Sequence, residues 1–186
     1  MSKVNVGMRL MAACERVFVP LQLKQLKCIR PDMETRSRWI TVGIALLAAF
    51  AFALSVQTAW WTMSSVIVGP FGTRNCPGGA DECGFAWLGT NHDLFLRAAV
   101  ATRAGGYIAM FIYIMVAGAI AAKRTPALLA KAGIVAILTA TAAAVTFFVK
   151  FPGSFGEPSL GAGPVLFAVG IVSAAAASVL VLRAQR

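Results

Sequence analysis

Four stretches of this chain run for roughly the length of a bilayer-crossing helix without a single charged residue, and no other feature constrains the fold as tightly. Such a helix needs about 20 mostly apolar residues. Residues 39–61, 104–122, 132–149 and 160–182 meet that requirement. Of the 186 residues 59% are hydrophobic and only 13% charged, where a soluble domain carries about 25% charge. One small soluble domain has too little interior to hide that much apolar surface. The sequence therefore predicts an all-α membrane protein, a four-transmembrane-helix bundle over 39–182, with an outer loop at 62–92. Residues 1–38 form a basic amphipathic cytoplasmic segment before it, and 183–186 a short tail.

The formal charge of +10 would suggest nucleic acid in a soluble protein. In a membrane chain it records orientation, because cytoplasmic loops carry the Lys/Arg excess. Eight basic residues lie in 1–38; Lys123, Arg124 and Lys131 lie between spans two and three; Arg183 and Arg186 end the chain. The opposite side holds Arg74, Arg97, Arg103 and Lys150 together with Asp81, Glu82, Asp93 and Glu157. Both termini are expected in the cytoplasm, in a multi-pass protein of a plasma membrane or bacterial inner membrane. Its expected partners are the lipid bilayer and other membrane subunits or copies of itself, with no nucleic acid. The first 30 residues lack the continuous apolar core of a cleavable signal peptide. Instead Leu10, Met11, Cys14, Val17, Phe18 and Leu21 recur at helical spacing. That pattern suits a helix on the anionic inner leaflet, or a cap packed on the bundle or a partner.

Cys14 and Cys28 fall on the cytoplasmic side, where thiols stay reduced. Cys76 and Cys83 share the outer loop, separated by Pro77-Gly78-Gly79-Ala80-Asp81-Glu82. On an oxidising face this spacing around a Pro-Gly-Gly turn reads as a structural disulfide stapling a small loop. The β-prone runs 65–68 and 85–88 flank it and suggest a two-stranded ribbon. A redox reading competes, since quinone-linked thiol oxidoreductases also use four-helix bundles. The chain lacks the Cys-x-x-Cys pair on which such enzymes depend.

Other chemistry is sparse. His92 is the only histidine, which excludes bis-histidine haem ligation and histidine metal clusters within one chain. Asn91-His92-Asp93 reads as a helix start, and Asp93 and Arg97, four apart, as an ion pair along that helix. No catalytic triad, phosphate loop or carboxylate pair assembles, so no enzyme activity, metal or cofactor is expected. Gln57, Thr139, Thr141 and Thr146 are the main polar groups inside the spans; they line a pathway or bond within the bundle. Small residues recur every four positions at Ala45/Ala49/Ala53, Gly118/Ala122 and Gly170/Ala174/Ser178, a spacing that lets helices approach closely in lipid. Bulky lipid-facing residues look scarce in the third and fourth spans, which favours burial in an assembly.

With Trp60 and Trp61 ahead of Cys76 and Cys83, Arg97 or Arg103 at the second span and a short second outer loop at 151–159, the layout resembles the claudin and peripheral-myelin-protein tetraspan superfamily. The likeness covers about residues 39–182 and is architectural; where the family has Gly-Leu-Trp before its first cysteine, this chain has Gly72-Thr73-Arg74-Asn75. The resemblance implies a non-enzymatic protein whose outer loop contacts other proteins and whose helices pack beside a partner. Phe71, Phe85 and Trp87 are the candidate contacts in that loop, with Trp60 and Trp61 at the membrane interface, where tryptophan is enriched. The leading expectation is a structural or auxiliary subunit of a membrane complex. An oligomeric channel or transport component and a quinone-linked enzyme are the alternatives.

Overall fold

The computed structural model describes residues 35–63, 66–75, 93–151 and 158–184, without the side chain of Asp93. All four cysteines, Phe85, Trp87 and His92 lie outside the described residues, as do the expected disulfide and residues 1–34 of the expected amphipathic segment. The chain divides into two compact units, 1–40 and 41–186. Of the first, the described part is the opening of helix α1 (Thr35–Gln57), where the Arg38 guanidinium lies 5.6 Å from the centre of the Trp39 ring.

In the second unit α1 continues, and α2 (Asp93–Ala121), α3 (Ala127–Val149) and α4 (Gly163–Arg183) follow. All four helices are long and apolar enough to cross a membrane. Residues 93–103, ahead of the predicted second span, are part of α2, one helix of 29 residues. At 1.5 Å per residue α2 is about 43 Å long, against a hydrocarbon core of about 30 Å. Arg97 and Arg103 therefore sit on the part of α2 beyond its apolar length.

α3 shows why the helices pack. Its buried residues are Ala130, Gly133, Ile137, Ala140, Ala144 and Phe147, spaced alternately three and four apart, which puts them on one face. Lipid is as apolar as a leucine side chain, so close contact and hydrogen bonds hold such helices together rather than the hydrophobic effect. At Gly105 the approach of α2 to α3 is so close that an added Cβ would stand 2.9 Å from the Cβ of Ala140. Phe52 of α1 meets Phe167 of α4 edge-on at 5.3 Å. Tyr113 of α2, fully buried, shares a hydrogen bond of 2.8 Å with Ser178 of α4.

The outer faces of α3 and α4 correct one expectation. Leu128, Val135, Leu138 and Val145, and Val165, Val169, Val172 and Val179, are all exposed. Bulky residues are present and exposed on both spans, while the contact faces combine alanine, glycine and serine with Ile137, Phe147, Phe167 and Val181. Thr139, Thr141 and Thr146 each donate to a carbonyl of their own helix.

The fold is mostly helical but not all-α. Strands β1 (Trp61–Met63), β2 (Val66–Gly69), β3 (Gly72–Arg74) and β4 (Ser159–Leu160) form an antiparallel sheet in the order β3-β2-β1-β4. This moves two predicted span ends. Trp60 and Trp61 are not helical, since α1 stops at Gln57, and Leu160 lies in a strand ahead of α4. Apolarity alone does not separate a buried strand from the end of a helix. The expected partner for 65–68 also changes, because β1 and β3 occupy both edges of β2.

Candidate functional site: the sheet and its aromatic support

The sheet is built where α1 gives out. The Trp60 backbone N–H donates to the carbonyl of Val68 at 2.8 Å, and the N–H groups of Gly161 and Gly163 donate to Trp60 and Ala59 at 2.9 and 2.8 Å. The backbone leaving α1 is thus paired on two sides, with β2 and with the segment entering α4. Two side chains reinforce the junction. Ser55 Oγ donates to the Gly163 carbonyl at 3.0 Å, and Trp60 Nε1 donates to the Ser55 carbonyl at 3.0 Å. Gly163 must lack a side chain here, because a Cβ would run into the Trp60 indole. Pro164 then starts the helix, at a position where its missing N–H costs nothing. Gln57 Nε2 donates to the Tyr107 hydroxyl, tying the end of α1 to α2.

One face of the sheet is apolar and inward. Trp61 stands opposite Val68 and Met63 opposite Val66, and all four are buried. Alternation puts Thr62 and Ile67, also opposite each other, on the other face, half-exposed. Thr62 and Ser159 hydroxyls hydrogen-bond there across β1 and β4. At the far edge the β2–β3 hairpin turns through Pro70 and Phe71. The Arg74 guanidinium lies 4.2 Å from the centre of the Phe71 ring, a cation–π contact.

Beneath the inward face is an aromatic cluster that joins all four helices. Trp61 stacks on Phe151 at 4.3 Å and on Phe148 at 5.5 Å. Trp60 meets Phe147 and Phe167 edge-on at 5.3 and 5.8 Å. Phe95 of α2 stacks on Phe147 at 4.8 Å, and Phe167 in turn meets Phe52 of α1. Offset and edge-on pairs like these add about 0.5–1.5 kcal/mol each beyond the area they bury.

These positions sort the expected site residues. Trp60 and Trp61 are 2% and 4% exposed; they point into the cluster, not outward as interface anchors. The single polar atom of the Trp60 ring is satisfied inside, so nothing draws it to the surface. Phe71 is half-buried on its own hairpin. Arg97 is exposed on α2, and its expected partner, the Asp93 side chain, lies outside the described residues. Sequence reasoning missed Ser55, Gly163, Phe95, Phe147, Phe148 and Phe151. The density of aromatics at 147–151 was the available signal, next to a predicted span end.

A second surface lies on α2. Ala101, Ala104, Ile108, Phe111, Met115, Gly118 and Ala122 are all exposed, spaced alternately three and four apart, so they form one outward stripe from the outer part of α2 to just past its end. Of the three small-residue repeats, Gly170/Ala174/Ser178 is buried, with Gly170 against Phe52 of α1 and Ser178 against Tyr113 of α2, and Ala45 and Ala49 of α1 are buried too. Gly118 differs: nothing lies within 4 Å of the position a Cβ would take.

Among the described residues no group of His, Cys, Asp or Glu could hold a metal ion. Comparison of the chain with protein-family models and with curated proteins finds no match.

Proposed function

We propose that this chain is a non-enzymatic, multi-pass membrane protein that serves as a structural or auxiliary subunit of a membrane complex. One observation carries the reading: the Gly118/Ala122 repeat faces outward, while the similar repeats of α1 and α4 are consumed in the chain's own packing. Small residues at that spacing let a second helix approach closely, and on α2 the place beside them is open. The sheet adds a second contact, a rigid platform from which the loop after Asn75 reaches a partner. A disulfide between Cys76 and Cys83 would staple that loop, and both termini would lie in the cytoplasm. The claudin-like layout supports the same role without specifying the partner.

The test is purification from native membranes in mild detergent. Stoichiometric partners, or a self-associated oligomer, are expected with the wild-type chain, and Gly118→Leu should release them while the helical circular dichroism stays unchanged. A lone monomer under those conditions would overturn the proposal. A symmetric ring around a hydrated axis would favour a channel instead.

A further inference from the structure

The turn between α2 and α3 carries more positive charge than the fold requires. α2 closes with the Lys123 N–H donating to Ile120 at 3.0 Å and the Arg124 N–H to Ala119 at 2.9 Å. This is the helix ending usually made with glycine, because the residue at its centre takes a left-handed backbone. Here that residue is Lys123, with φ of 58°. Lys123 and Arg124 at least meet the negative end of the α2 dipole. Lys131 has no such reason to be where it is. It stands in the second turn of α3, at the positive end of that helix, which has neither an acidic residue in its first turn nor a side-chain cap.

Lys131 also faces outward among apolar neighbours. Leu128, 81% exposed, precedes it on the same face, and Val135, 61% exposed, follows it. The described residues at this end of the helices include no aspartate or glutamate beside the three cations. A cation in the lipid-facing stripe of a spanning helix needs an anionic partner or a route back to the headgroups. Helical side chains lean toward the N-terminus of their helix, and α3 begins at this end. The Lys131 stem therefore leans toward the turn that holds Lys123 and Arg124.

We infer that Lys131, Lys123 and Arg124 hold the headgroup phosphate of an anionic phospholipid, with an acyl chain running along Val135 and Leu138. The site lies at the membrane boundary, and its cations come from two successive elements that the turn keeps together. It discriminates by charge: a zwitterionic lipid offers the phosphate but places its own cation beside the three lysine and arginine groups.

Native mass spectrometry of the full chain in detergent, titrated with phosphatidylglycerol or phosphatidylcholine, tests this. Wild-type should retain phosphatidylglycerol preferentially. Each basic side chain near such a surface contributes about fivefold to anionic-lipid binding, so Lys131→Gln should lower retention by about that factor. Arg124→Gln should do the same, whereas Lys150→Gln, at the opposite end of α3, should leave it unchanged. Equal retention of the two lipids, or equal loss in the Lys150 and Lys131 variants, would overturn the inference. Displacement of phosphatidylglycerol by inorganic phosphate would also overturn it, since the site would then be one for a free anion. Unchanged helical circular dichroism in the variants shows that a loss is not unfolding; Lys131 is exposed, so that control is expected to hold.

Discussion

Tyr113 is the residue at which polarity inside the bundle matters most. Its hydroxyl and that of Ser178 are buried and satisfy each other across two helices. In water-free surroundings an abandoned hydroxyl is unfavourable, yet measured interhelical hydrogen bonds in membranes average only about 0.6 kcal/mol. A double-mutant cycle of Tyr113→Phe and Ser178→Ala should therefore give a coupling of about 0.5–1.5 kcal/mol in thermal or denaturant unfolding. A coupling near zero would mean that the pair does not bridge α2 and α4. Such a pair was not legible in the sequence. Both residues sit in apolar runs, and only the register of α2 against α4 brings them together. Trp60 was misplaced for a related reason. A tryptophan at the end of an apolar stretch looks the same whether its N–H faces water or the carbonyl of Ser55.

For the elements, two glycines of α2 separate what packs inside the chain from what does not. Replacing a helical glycine by alanine gains about 1 kcal/mol of helix propensity. At Gly118 nothing lies near the new methyl group, so Gly118→Ala should stabilise the isolated chain by up to that amount. At Gly105 the methyl group would stand 2.9 Å from the Ala140 Cβ, and overpacking of this kind costs about 1–3 kcal/mol. Gly105→Ala should therefore destabilise, and thermal unfolding in detergent should shift in opposite directions for the two variants. The existence of the helices was legible, because lipid demands about 20 apolar residues in a row and few sequences meet that demand by accident. Their ends were less so. Residues 59–61 and 160–163 continue the apolar pattern while their backbones bond to one another, and β4, two residues long, is too short to give a pattern of its own.

At the scale of the whole molecule, four helices are long and apolar enough to cross a membrane, and four crossings would return the chain to the side on which it began. Reporter fusions at residues 1 and 186 should therefore give the same sidedness, and the basic excess predicts that it is cytoplasmic. One fusion on each side would exclude the four-span arrangement. The division of the apolar side chains between exposed and contact faces belongs to this scale too. The sequence shows the amounts of each but not the division between faces, which depends on the other three helices.

The pairing of β1 with β4 has a consequence in time. Thr62 and Ser159, which meet across those strands, are 97 residues apart, and two spanning helices are made between them. Until β4 and the start of α4 emerge, β1 has one open edge and Trp60 lacks its contact with Phe167. Open strand edges invite pairing with other chains, and domains with such distant pairings fold slowly. The short strand ahead of α4 is therefore what completes the sheet, so a ribosome product cut short before Ser159 would display an unfinished sheet that a membrane protease can recognise.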